Sequence, residues 1–100
     1  MEMYRQGDVL IVKDKIPQRV KMTDRRTSRV LVYGEATGHS HKLEGEAVMI
    51  YGANQAEYFA VAGEAKLVHE EHDTITLPEG EYRVVRQREF DEEQIRYVAD

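Results

Sequence analysis

The sequence predicts an all-β chain: one domain over residues 1–100, built as a barrel or sandwich of about eight short strands. Short runs rich in valine, isoleucine, leucine and tyrosine recur along the chain. Turn residues, mostly glycine, separate them, and no stretch carries the apolar stripe of an ordinary helix. Apolar residues make up 41% of the 100 positions, enough for one modest core. A domain of this size gains burial by pairing with copies of itself, so a homo-oligomer is expected.

Taken in order, Tyr4-Arg5-Gln6-Gly7-Asp8 gives way to Val9-Leu10-Ile11-Val12, which reads as a strand covered on both faces. Ile16-Pro17 stops it, because proline has no amide hydrogen for a ladder. Residues 17–28 are polar and aperiodic, a long loop with one helical turn near Met22. Arg29 to Tyr33 is the second strand. Gly34 and Gly38 then bracket a bulge or tight bend. In the extended stretch His39 to Glu44, His39, His41 and Leu43 share one face, with Ser40, Lys42 and Glu44 on the other. Gly45-Glu46 turns the chain into the strand Ala47–Tyr51, and residues 52–55 make a hairpin connection to Glu57–Val61. Ala62-Gly63 is a further turn, and Glu64–Val68 leads into the second histidine pair. Thr74–Leu77 is a short strand, Pro78-Glu79-Gly80 a turn, and Glu81–Arg88 a long strand. Asp91-Glu92-Glu93 starts a loop or short helix, and Ile95–Val98 adds an edge strand.

Cysteine is absent, which removes disulfides, thiolate ligands and cysteine nucleophiles together. Nothing resembles a signal peptide and no apolar run is long enough to cross a bilayer, so a cytoplasmic protein without a membrane role is expected. Lys13 to Arg29 holds seven basic residues against Asp14 and Asp24. That segment carries +5 in a chain of net charge −5, leaving −10 on the remainder. Its ordinary reading is a solvated loop or a partner for the protein's own acidic face; the other is a contact for nucleic acid or another phosphate-bearing partner. It has no aromatics to stack on bases.

The chain's 4 histidines fall into two tight pairs, His39-Ser40-His41 and His69-Glu70-Glu71-His72. His-x-His on a strand offers two imidazoles on one face, and a second cluster on a neighbouring strand adds a third ligand. The expected metal ligands are His39, His41, His69, His72 and Glu46, with His72 the member of the second pair facing the first. His69 and His72 are three apart and serve one site only if Glu70-Glu71 lies in a turn. Sulfur-free ligands of this kind suit zinc, iron, manganese, nickel or copper. An open position on the ion would make the protein a metal-dependent enzyme acting on a small molecule. The metal-free alternative is cleavage of a phosphodiester, RNA or a cyclic nucleotide. There His72, Glu70 and Thr74 would be catalytic, and Arg83 and Arg86 would bind phosphate. A plain interaction module using the basic loop is the third reading.

The segments "YRQGDVLIV" (4–12), "GEATGHSHKL" (34–43) and "LVHEEHDTITLPEGEYRVVRQREF" (67–90) resemble a group of small proteins of bacterial and phage genomes. That resemblance implies one shared site for His39, His41, His69 and His72. The chain is also similar in part to cupins, small β-barrels that hold a metal with His-x-His, a glutamate and a later histidine. His39-Ser40-His41 matches the first element, Glu46 the glutamate, and Pro78-Glu79-Gly80 the later turn. The departure is that Arg83 stands where the last histidine should follow, and His72 comes before the turn.

Overall fold

A computed structural model describes residues 2–22, 25–33, 38–53 and 55–86. Its organising unit is one long hairpin, β7 (Tyr58–Val68) and β8 (Ile75–Arg86). The remaining strands are β1 (Met3–Gln6), β2 (Val9–Lys13), β3 (Arg25–Arg26), β4 (Val30–Tyr33), β5 (Ser40–Glu44) and β6 (Val48–Tyr51). One short helix, α1 (Gln18–Lys21), follows Pro17. The eight strands form one antiparallel sheet in the order β1-β2-β8-β7-β5-β4, with β6 on β7 and β3 on β6. The all-β expectation holds. Among the described residues no ladder joins the outer strands β1 and β4, so the sheet is not closed into a barrel.

The first half of β7 pairs with β6 (Tyr58↔Tyr51 to Val61↔Val48), and its second half pairs with β5 (Lys66↔Glu44 to Val68↔Lys42). Between the halves the β7–β8 register shifts, from Val61↔Gly80 to Glu64↔Pro78. Gly63 sits in that shift at φ +120, a conformation that L side chains rarely adopt. The sheet folds over at this point. Its consequence is visible at Gln6, whose amide reaches the main chain of Leu67 although β2 and β8 lie between β1 and β7 in the sheet.

Two expected turns are therefore strand. Ala62-Gly63 is a bulge inside β7, and Pro78-Glu79-Gly80 runs within β8. Proline is tolerated there because β2 pairs only with Tyr82–Arg86, leaving the first half of β8 with a partner on one side alone. Gly7-Asp8 closes a hairpin whose first strand, β1, the sequence did not announce. Strands at Val9, Val30, Ser40 and Val48 begin within a residue of expectation. The expected bend at 34–37 and the elements expected over 87–98 lie outside the described residues.

Alternation fills the fold's interior. Val9, Ile11, Leu43, Phe59, Leu67, Leu77 and Tyr82 are each at most 1% exposed. A buried side chain of this size contributes about 1.5–3 kcal/mol by removal from water. Tyr82 stacks on Phe59 at 5.1 Å between ring centres and donates its hydroxyl to the Pro78 carbonyl at 2.6 Å. Burial pushes its phenol up to about 12, so it stays a donor.

The basic segment is more ordered than a loop. Ile16 and Val20 pack with Tyr51 in a second small cluster. Glu81 ties the segment down, accepting from the Ile16 amide at 2.8 Å and from Lys21 Nζ at 2.7 Å. Those two donors hold its carboxyl below the usual range. β3 interrupts the expected loop by pairing with β6. Lys13 faces Glu2, and Asp14 faces Arg83, so part of this charge meets the chain's own acidic and basic groups. Among the described residues no helix is long and apolar enough to cross a membrane.

Candidate metal centre

His41 is set by β5. The alternation Ser40-His41-Lys42-Leu43 drives His41 and Leu43 inward, to 4% and 1% exposure, and turns Lys42 to solvent. The second pair follows β7, where His69 to Thr74 connects to β8. The chain bends at residues 70–72, so His69 and His72 do not diverge as they would on a straight strand. All four rings gather at one end of the sheet. His69 is the hub, with ring centres 4.3 Å from His41, 4.6 Å from His72 and 5.6 Å from His39. His72 lies 6.3 Å from His41. The expected ranking, with His72 as main partner of the first pair, is thus reversed by the bend.

Gln6 and His41 are the buried polar side chains among the described residues, and they bond each other. The Gln6 amide nitrogen donates to the carbonyls of Leu67 and Asp73, each at 2.9 Å. Carbonyls only accept, so this fixes which end of the amide is oxygen. Gln6 Oε1 then accepts from His41 Nδ1 at 2.8 Å, and the His41 proton sits on Nδ1. His41 Nε2 is left with its lone pair facing Asp8 Oδ1 at 3.9 Å. Burial, reinforced by His69, lowers His41 to about 4, with Asp8 opposing the shift. At neutral pH two electron-pair donors face each other there with no proton between them.

The hairpin tip closes this end. Gly7 has φ +62, and a β-carbon at its position would stand 2.7 Å from His72 Nε2 and 3.5 Å from His41 Cε1. Only glycine lets the backbone approach the rings this closely. Gln6, Gly7 and Asp8 are the site residues that the sequence reading did not assign. The available signal was a glutamine directly before a Gly-Asp turn, on a strand leading into a hydrophobic run.

On the outer side, one atom each from His39, His69 and Glu70 lies within 4.8 Å of the others, a group that could hold a metal ion. Glu70 also accepts from the Ser40 amide at 3.0 Å, which fixes it beside the start of β5 and lowers its carboxyl. His69 Nδ1 accepts from the Glu71 amide at 3.0 Å. His39 Nδ1 lies 3.7 Å from Glu71 Oε2.

Other expected members lie elsewhere. Glu46 is in the β5–β6 turn and lines a cavity with Arg25, Met49 and Glu81 that includes no histidine. β5 carries it away from the cluster, because His41 stands near the other end of the strand. Arg83 is drawn to Asp14 at 3.3 Å, and with Arg86 it lines a separate cavity free of histidines. Thr74 is exposed in the β7–β8 connection after His72. The cupin-type arrangement is not reproduced: the sheet is open, its glutamate is remote and its late turn is strand.

Comparison with curated proteins and with solved structures finds no match. A family model described as Domain of unknown function (DUF8820) matches residues 5–87, a span holding every histidine of the cluster together with Gln6, Gly7 and Asp8, and the chain belongs to that family.

Proposed function

We propose that the histidine cluster binds a divalent transition metal, with His39, His69 and Glu70 as ligands and His41 and His72 beside it. The observation that carries the reading is the 4.8 Å grouping of those three donors. Ligands on a tetrahedral ion at about 2.1 Å stand roughly 3.4 Å apart, so binding draws the group together by at most about 1.4 Å. Glu70 is exposed and His39 and His69 are partly so, which leaves room for that adjustment. Coordination through His69 Nε2 requires its proton to move to Nδ1, releasing the Glu71 amide. That bond is worth about 1 kcal/mol, small beside the roughly 10 kcal/mol of a well-formed zinc site.

Three protein ligands leave the ion a position for water or substrate, the arrangement of catalytic rather than structural zinc. The neutral His41 and the Asp8 carboxylate then stand ready to take or hold a proton near that position. Phosphodiester cleavage without a metal is the weaker reading, because the arginines it needs line another cavity.

Calorimetric titration of untagged, chelator-treated protein with zinc tests the proposal. The expected result is one ion per chain, with affinity lowered by at least about 100-fold in His69→Ala. Absence of binding, or equal binding by His69→Ala, ends it.

A further inference from the structure

A second cavity, of about 560 Å³, opens between β4, the β6–β7 connection and the far end of β8. Among the described residues its charged lining is Arg26, Arg83 and Arg86 against the one carboxylate of Glu57. The volume falls within the range of pockets that take small organic ligands. None of the four histidines lines it.

Its arginines are unequally employed. Arg83 Nε is engaged by Asp14. Arg26 Nη1 makes two long bonds, 3.3 Å to the Gly52 carbonyl and 3.4 Å to that of Ala53. The Nε groups of Arg26 and Arg86 are both shut off from water and meet no acceptor among the described residues. An anion in the cavity would meet these guanidiniums through their outer nitrogens, because the Nε atoms have no exposed surface. Phosphate suits guanidiniums arriving from separate elements, because it presents three oxygens and bonds Arg in a forked, charge-assisted way. The remaining walls, Leu31, Tyr33, Tyr58 and Val84 among them, are apolar or aromatic and suit an organic body attached to the anion. A long polyanion is disfavoured by the net charge of −5.

We propose that this cavity binds a small phosphate monoester of nucleotide size, its phosphate held by Arg26 and Arg86 and its ring or chain by the tyrosine-lined wall.

Titration of the full-length protein with adenosine monophosphate and with inorganic phosphate, both in excess chelator, tests this. The monoester should bind, more tightly than phosphate, and at least about tenfold more weakly in Arg26→Lys and in Arg86→Met. Arg86→Met should at the same time stay folded and melt close to the parent, because it removes a buried Nε donor that has no acceptor among the described residues. His39→Ala should bind the monoester like the parent. The proposal is overturned if neither probe binds at millimolar concentration, or if phosphate binds as well as the monoester. Unchanged binding in both arginine variants, or loss of binding in His39→Ala, overturns it equally.

Discussion

At the scale of single residues, Gln6 decides how the cluster presents itself. Its two bonds to main-chain carbonyls lock the amide, and the locked amide places the His41 proton on Nδ1. Replacement by leucine keeps the volume but takes the amide donor from the Leu67 and Asp73 carbonyls and leaves His41 Nδ1 without its buried acceptor. Gln6→Leu is therefore expected to lose about 2–3 kcal/mol, read as a lowered urea midpoint at unchanged slope. The depressed His41 sets a pH dependence of defined sign. Its folded-state value is about 4 against 6.5 for the free side chain, so between those values the unfolded chain binds the extra proton. His41's contribution is fully present above pH 6.5 and is lost as pH falls toward 4, to the extent of roughly 3 kcal/mol. Urea unfolding across pH 4–7 should show this slope in the parent and a much shallower one in His41→Phe. The pairing of these two residues was not legible in the sequence. Gln6 and His41 are thirty-five positions apart, and only the fold-over at Gly63 brings β1 against the end of β7.

At the scale of elements, local pattern and long-range pairing had separate parts. Alternation in His39–Glu44 marked β5, whose two faces see different surroundings, and the apolar run at Val9 marked β2, whose consecutive residues Ile11 and Val12 are both buried. The turns at Ala62-Gly63 and Pro78-Glu79-Gly80 misled, because their residues suit a bulge and a one-sided strand as well as they suit a reversal. β3 was hidden in polar sequence and α1 showed only as the one helical turn expected near Met22, since what orders them lies elsewhere in the chain. Glu81 is that anchor for α1, with bonds to Ile16 and Lys21. Glu81→Ala is expected to cost about 1–3 kcal/mol and to speed hydrogen exchange at the Ile16 amide. Unchanged exchange there would mean the segment is held by its small apolar cluster alone.

For the whole molecule, the bent β7–β8 hairpin joins two halves of one sheet and gathers the chemistry at its ends. The histidine pairs, separate in sequence, meet at the end where β5, the β1–β2 turn and the β7–β8 connection converge. Composition foretold an all-β chain and the histidine spacing foretold a cluster. Neither revealed which histidine is central, because that depends on the bend over residues 70–72. The basic segment, read from charge first as a solvated loop or a partner for the protein's own acidic face and second as a contact for phosphate-bearing partners, spends part of its charge on Glu2 and Glu81. The central claim is that the cluster is a metal centre. Its most direct test is anomalous diffraction at the zinc edge from crystals grown with stoichiometric zinc. The account predicts one strong peak per chain, about 2 Å from nitrogens of His39 and His69 and an oxygen of Glu70. A map with no peak among the four imidazoles, or with zinc bound only elsewhere, would contradict it.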